Sequence, residues 1–480
     1  MSLVFYDTET TGVNAHFDQI LQFAAIKTDA FFEEADRFEI RCRLLPHVVP
    51  APEAMMVNGV RAAQLVDASK PTHYEMVRKI VTKLQAWSPA IFAGWNTVKF
   101  DEEIFRQALY KTLHKPYLTN TNGNNRTDVM KMVQACSIYS PETLKIPTEA
   151  NGKPVFKLIR VAAENGFKQK KAHDALEDVQ ATIYLAKMVS ENASKVWSAF
   201  MRFSKKASVI AFLGEEKIFC FTEYNYETLK SFVVTALDQR PNSPEWIVFD
   251  LAVDPETLQT CPDEELASKC QWPHSPLHAL KSNAAPMIFS MDDAAATLPA
   301  LTVGQHELER RADFLKNNPE FIERLLTAHE SNQKEFPSAQ QVEAQIYDGF
   351  PNDSDHKLMD EFHAADWGRR AEIVSRFADL RLKKLGHRLL HIEQPHLLDA
   401  PTRLAHDLEA ARRVVGQSQH PCGLTLTEAI GKIDEYLADQ NHPHFGLLSE
   451  HREFLQTRLS TAESHLARSI CAQKQHDLHT

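Results

Sequence analysis

The sequence predicts a multidomain chain of the α/β + β + α kind, with an α/β domain over residues 1–195, a small β domain with appended helices over 196–348 and a helical domain over 349–480. Three observations carry this. At 480 residues, 43% hydrophobic and 24% charged, the composition is globular, and at roughly 150 residues per domain the length implies about three cores. The apolar pattern changes character twice along the chain. The 15 Gly and 24 Pro are scattered and mean hydropathy is -0.35, which excludes a collagen-like or low-complexity protein. A solenoid is excluded too, since no repeat of about 20 to 50 residues recurs.

In the first part, Leu3 to Tyr6 is a short apolar strand. Phe38, Ile40, Cys42 and Leu44 alternate with Arg37, Glu39, Arg41 and Arg43, the period-2 pattern of a half-exposed strand. Met76, Val77, Ile80, Val81 and Leu84 follow at helical spacing, and Ile104, Phe105, Ala108 and Leu109 repeat it after Asp101. Two further helices run through Leu158, Val161 and Ala162 to Gly166, and through Leu176, Val179, Ile183 and Ala186. The middle part reads as short β runs at Val209–Leu213, Ile218–Phe221, Trp246–Val253 and Met287–Phe289, then helices near Glu307–Leu315 and Phe321–His329. After the turn-rich Asp348–Asp355 the periodicity is helical, broken near Pro395, Pro401, Pro421 and Pro443.

Seven widely spaced cysteines form no metal knuckle or disulfide framework, so free thiols in a reducing cytoplasm are expected. No apolar run approaches the roughly 20 residues of a membrane span, and the first residues lack the basic region of a secretion signal. The expectation is a cytoplasmic protein without a membrane contact.

Chemistry concentrates in three segments. In Asp7-Thr-Glu9 after the first strand, residues i and i+2 share a face, so two carboxylates stand side by side and favour an intervening cation. In Asn96-Thr-Val-Lys-Phe-Asp101 a strand ends and a helix begins; Asp101 suits an N-cap, and Glu102 and Glu103 suit the positive end of the helix dipole. In His173-Asp174-Ala-Leu-Glu177-Asp178 a capping box starts a helix, leaving His173 in the loop and Asp178 one turn in. Read singly, each has a structural explanation. Together they supply four carboxylates and a histidine, a set suited to hard Mg²⁺ or Mn²⁺ ions rather than zinc. Two such ions clamp the attacking and leaving oxygens of a phosphoryl displacement, and a neutral imidazole takes the proton of the attacking water.

The order Asp7-x-Glu9, Asn96-x-x-x-Phe-Asp101, His173-x-x-x-x-Asp178 resembles the DEDD exonuclease superfamily in its histidine subclass. Gln22–Ile26, Ala172–Val179, Ala181–Lys187 and Ala344–Phe350 extend the likeness to the bacterial exonuclease I family, the last stretch lying outside the catalytic domain. The resemblance implies an RNase H-like exonuclease domain, an SH3-like β domain and a C-terminal helical domain enclosing the strand. It implies 3′ to 5′ degradation of single-stranded DNA to 5′-mononucleotides, compatible with repair, recombination or mismatch correction. It casts Asp7, Glu9, Asp101 and Asp178 as ligands of two Mg²⁺ ions (Mn²⁺ substituting), His173 as general base, and Glu9, Thr10, Asn96 and Lys157 as substrate contacts. Lys157 stands where the family has arginine, which keeps the charge and loses the bidentate fork. Ser140 stands where a basic residue helps bind the tail of single-stranded DNA-binding protein, the implied partner of a monomeric enzyme. An exonuclease acting on RNA or primer ends, and a non-catalytic nucleic-acid-binding protein, are the alternatives.

The net charge of -11 opposes general adhesion to nucleic acid. Two basic runs supply local candidates: Lys153, Lys157, Arg160, Lys168, Lys170 and Lys171, and a second from Arg369 to Arg388. Trp197, Phe200, Phe203 and Trp367, near these runs, are assigned to the core.

Overall fold

The chain was analysed as a computed structural model, which describes residues 2–168, 174–225, 227–271, 273–294, 301, 303–332, 339–420 and 422–477, with side chains as far as 468. A five-stranded sheet forms from β1 (Ser2–Thr10), β2 (Ile20–Thr28), β3 (Glu34–Arg41), β4 (Ala90–Ala93) and β5 (Asn125–Arg126), in the order β3-β2-β1-β4-β5. β1 pairs antiparallel with β2 and parallel with β4, which places it at the centre. Its residues alternate between two cores. Leu3 and Phe5 pack with α3 (Val129–Tyr139) and α5 (Ala175–Asn192), while Val4 and Tyr6 pack with α1 (His73–Trp87) and α2 (Asp101–Lys111). A short helix α4 (Leu158–Glu164) lies against α5.

The second sheet is antiparallel, in the order β10-β6-β7-β8-β9, from β6 (Phe219–Asn225), β7 (Thr228–Gln239), β8 (Glu245–Asp250), β9 (Leu277–Lys281) and β10 (Met287–Ser290). One sequence expectation fails here. Val209–Leu213 is not a strand but part of α7 (Lys206–Glu215), following α6 (Ser194–Phe203). Val209, Phe212 and Leu213 are buried at i, i+3 and i+4 beside Phe203 and Phe219, and such a short apolar run has no periodicity that separates helix from strand. β7, the central strand, escaped the reading because its buried run, Val233 to Thr235, is short and the rest of the strand is half-buried or exposed. The two domains share one core: Val196 and Phe200 of α6 join Val179 of the first domain to Cys220 and Val233 of the second.

Helices α8 (Gln305–Lys316) and α9 (Pro319–Ser331) close this part, and α10 (Asp353–Ala364), α11 (Trp367–Arg376), α12 (Leu380–Glu393), α13 (Ala400–Val414), α14 (Leu426–Leu437) and α15 (Phe445–Asp477) build the C-terminal region. That region docks on the first domain through Tyr74, Tyr110 and Leu113, which share a cluster with Phe362, Ile373 and Leu385. At its base, buried Glu343 lies 2.5 Å from both Arg388 and Arg413. Burial alone raises the Glu343 carboxyl, but the two guanidiniums outweigh it and hold it well below the usual range. Among the described residues no helix is long and apolar enough to cross a membrane.

Candidate active site

The parity of β1 builds the site. Asp7 and Glu9 continue the face of Leu3 and Phe5, and that face looks toward α5, where Asp178 stands one turn from the start. Asp7, Glu9 and Asp178 each bring an oxygen to within 4.8 Å of the others, the one such cluster among the described residues. Three carboxylates this close, with no sulfur or imidazole among them, form a donor set for a hard divalent cation.

Asp101 arrives from the other side of the sheet. Its Oδ1 accepts from the Thr8 N–H (3.1 Å) and hydroxyl (2.6 Å). The expected N-cap role is not what the structure shows: Phe100 occupies the cap position, Asp101 is the first helical residue, and its carboxylate binds the strand instead. Asp101 thus flanks the trio rather than completing it at that spacing.

The electrostatics are those of a site that wants positive charge. Burial, then the charges of Asp101, Asp178 and Glu9, raise Asp7 well above the ordinary carboxylate range. Glu9 is pushed up to about 8 by burial, then by Asp178 and Asp101, with Arg41 pulling the other way. Asp101 is raised by burial against the two Thr8 hydrogen bonds. Arg41 is itself engaged, 2.7 Å from Asp174. Asp174 is the N-cap of α5 and accepts from the Leu176 N–H at 3.3 Å. His173, with Lys170 and Lys171 of the first basic run, lies outside the described residues.

The substrate contacts separate into two groups. Asn96 and Lys157 line one groove of about 930 Å³ with Lys99, Phe100, Tyr224 and Lys281, between the first sheet's helices and the second sheet. The Thr10 hydroxyl is committed to the Gly12 carbonyl at 2.7 Å. In the basic runs, Lys153 pairs with Glu227 and Arg160 with Glu149. The arginines of the second run are engaged with neighbours of the helical domain, and Arg370 among them is buried. Arg370 stacks over Tyr74, Phe362 and Trp367, Arg381 and Arg388 pair with Asp379 and Glu343, and Arg369 and Arg376 share Glu361. Arg370, Arg381 and Arg388 brace the helical domain, whereas Arg369 and Arg376 lie at its surface. Phe200 and Phe203 are buried, as expected.

Sequence reasoning missed Glu102. Assigned from the sequence only to the positive end of the helix dipole, it is 3% exposed and accepts from Tyr6 (2.5 Å), Thr119 (2.7 Å) and Arg126 (2.8 Å). Thr8 was missed for the same reason: its partner is distant in sequence, and nothing local announces it.

A central strand bearing clustered carboxylates, an RNase H-like sheet order and a groove beside them define the class of divalent-metal-dependent exonucleases. The sequence model of the family described as Exonuclease matches residues 4–186, and that of the Exonuclease I C-terminal domain matches residues 340–458. The exodeoxyribonuclease I of Haemophilus influenzae is 27% identical over 425 residues, covering 84% of this chain and 88% of its own. Solved structures align throughout: exonuclease I from Methylocaldum szegediense (TM-score 0.82, 24% identity, 95% of this chain and 99% of that one) and E. coli exonuclease I in complex with a dA16 oligonucleotide (TM-score 0.80, 22% identity, 97% and 99%). The chain belongs to the bacterial exonuclease I family.

Proposed function

We propose that this protein degrades single-stranded DNA from the 3′ end, releasing 5′-mononucleotides, with two Mg²⁺ ions as the working metal. The observation that carries the reading is the approach of Asp7, Glu9 and Asp178 to within 4.8 Å. The relatives' activity and the dA16 oligonucleotide bound by a structural neighbour support the substrate. When bound, the ions supply the positive charge that stabilises the attacking and leaving oxygens of the scissile phosphodiester. Asp7, Glu9 and Asp178 would hold them, and Asp101, aimed by Thr8, would complete the set. His173 would accept the proton of the attacking water. Lys157 and Lys99 place positive charge along the groove, and Phe100 and Tyr224 offer rings on which bases stack. Five buried free thiols support action in the cytoplasm.

One gel tests this. Single-stranded DNA, duplex DNA and RNA, each 5′-labelled, are incubated with and without Mg²⁺. The expected result is a ladder shortening from the 3′ end on single-stranded DNA alone, abolished by chelator. Preferential loss of the RNA would move the substrate to ribonucleic acid, and a metal-independent or absent reaction would overturn the metal-site reading.

A contact with single-stranded DNA-binding protein belongs to the same proposal, in weakened form. Ser140 follows the last residue of α3, and its hydroxyl is turned to Glu142 at 3.2 Å. A cation there would also meet the negative end of the helix. Ser140→Arg is expected to tighten binding of that protein's C-terminal peptide several-fold, measured by fluorescence anisotropy. No change would remove this position from the contact.

A further inference from the structure

Behind the carboxylates, a turn of the second domain is bonded to the residues that shape the metal-site loop. Asp128, 1% exposed, is the N-cap of α3. Its Oδ1 accepts from the Asn96 N–H at 3.1 Å and its Oδ2 from the Val98 N–H at 3.2 Å, pinning the loop that leads to Asp101. The loop has little room to adjust. Asn96 sits at φ 60°, and a Cβ on Gly94 would fall 2.6 Å from the Tyr6 carbonyl oxygen. One turn along α3, the Lys131 ammonium donates to the carbonyls of Ala284 (2.6 Å) and Ala285 (3.4 Å). Just before α3, Arg126 donates to the Asn283 carbonyl at 3.1 Å and to Glu102, the neighbour of Asp101, at 2.8 Å. Glu102 in turn receives the hydroxyl of Tyr6, the neighbour of Asp7. Ala285 is held at φ 44°, a conformation that a non-glycine residue keeps only when its surroundings enforce it.

We infer that Lys131 and Arg126 are positioning residues, through which the 283–285 turn of the β domain fixes the loop carrying Asp101 and hence the geometry of the metal site. The inference rests on the metal-site reading given above. The geometry has a purpose that a plain domain contact lacks. Lys131 and Ala284 line the same groove as Asn96 and Phe100, so one ammonium joins both walls of the strand's candidate path beside Phe100, the residue before Asp101. Neither residue touches the reacting atoms; each acts through Asp128, Glu102 and the loop between them.

The test uses the full chain as Lys131→Met, Lys131→Arg, and a variant in which residues 283–285 are replaced by three glycines. kcat and KM are measured on a single-stranded oligonucleotide with Mg²⁺, and Mn²⁺ affinity by electron paramagnetic resonance. Lys131→Met is expected to lower kcat about tenfold and weaken Mn²⁺ binding several-fold, with a smaller change in KM. Lys131→Arg, which still donates to the carbonyls, recovers most of both. The triple-glycine turn keeps the acceptor carbonyls but frees the backbone that holds them, so it reproduces part of the loss from the other side, and combining it with Lys131→Met adds little, because both act on one contact. A loss confined to KM would make Lys131 a phosphate contact and overturn the inference, as would additive effects or an unchanged Mn²⁺ signal in folded protein. If Lys131→Met does not fold, the triple-glycine variant decides alone by the same readouts. An unaltered enzyme that binds no Mn²⁺ would overturn the metal-site reading and this inference together, whereas an active enzyme indifferent to these changes would overturn the inference only.

Discussion

Asp178→Ala is expected to lower mononucleotide release from single-stranded DNA by about 10³-fold or more, a loss at least as large as that of one electrostatic stabiliser of a transition state. Strand affinity should stay within a few-fold, because the groove formed by Asn96, Lys157 and Lys281 is untouched. Asp7→Ala should behave alike, since its carboxylate is another member of the same trio. The two changes should also stabilise the metal-free protein, which is the opposite of what removing a buried polar group commonly does. Each deletes one member of a set of like charges whose repulsion already raises Asp7 and Glu9. Single-turnover digestion and thermal melts in chelator check the pair of effects. A variant that retains substantial activity would take that residue out of the metal site, and a lower melting temperature in chelator would mean that the carboxylate serves the fold.

The second large effect is a linkage between pH, metal and stability. Glu9 titrates near 8 in the folded chain against an ordinary value of 4.5, and Asp7 is raised in the same sense. A carboxyl with a raised folded-state pKa binds its proton more tightly when folded. Its favourable contribution is present in full below the unfolded pKa and is lost as pH rises through the folded one. In chelator, melting temperature should therefore fall between about pH 4.5 and 8 from these groups. Divalent metal replaces the protons, so its stabilisation should be larger at pH 8 than at pH 5.5. Calorimetric titration of Mn²⁺ near pH 7 in two buffers of different ionisation enthalpy should report proton release. A metal-induced shift independent of pH, with no proton released, would contradict the pKa ordering described here.

The net charge of -11 looks different beside this geometry. Part of it is concentrated where a divalent cation would cancel it. Many of the basic residues that a linear reading offers to DNA are spent elsewhere, Arg370 on an aromatic cage and Arg388 on Glu343. Positive charge that faces the groove comes from Lys153 and Lys157 of the first run together with Lys99, Lys131 and Lys281, which are scattered in sequence.

What the sequence determined by itself is local and periodic. Alternation along β1 put Asp7 and Glu9 on one face, helical spacing located α1, α2 and α5, and the order of acidic motifs with Asp178 one turn into its helix pointed to a metal-dependent phosphodiesterase. The tertiary structure alone decided what depends on partners far apart along the chain. It turned Asp101 toward Thr8 rather than its own helix, and buried Glu102 under Tyr6, Thr119 and Arg126. It made a helix of Val209–Leu213, because Phe203 and Phe219 cover its apolar stripe. It also fastened the 283–285 turn to Lys131 across more than 150 residues. The physical reason is common to all of these. Secondary structure follows from periodicities within a few residues, whereas the environment of a charged side chain is set by whatever the fold brings within about 4 Å of it, where desolvation and partner charges outweigh local preference.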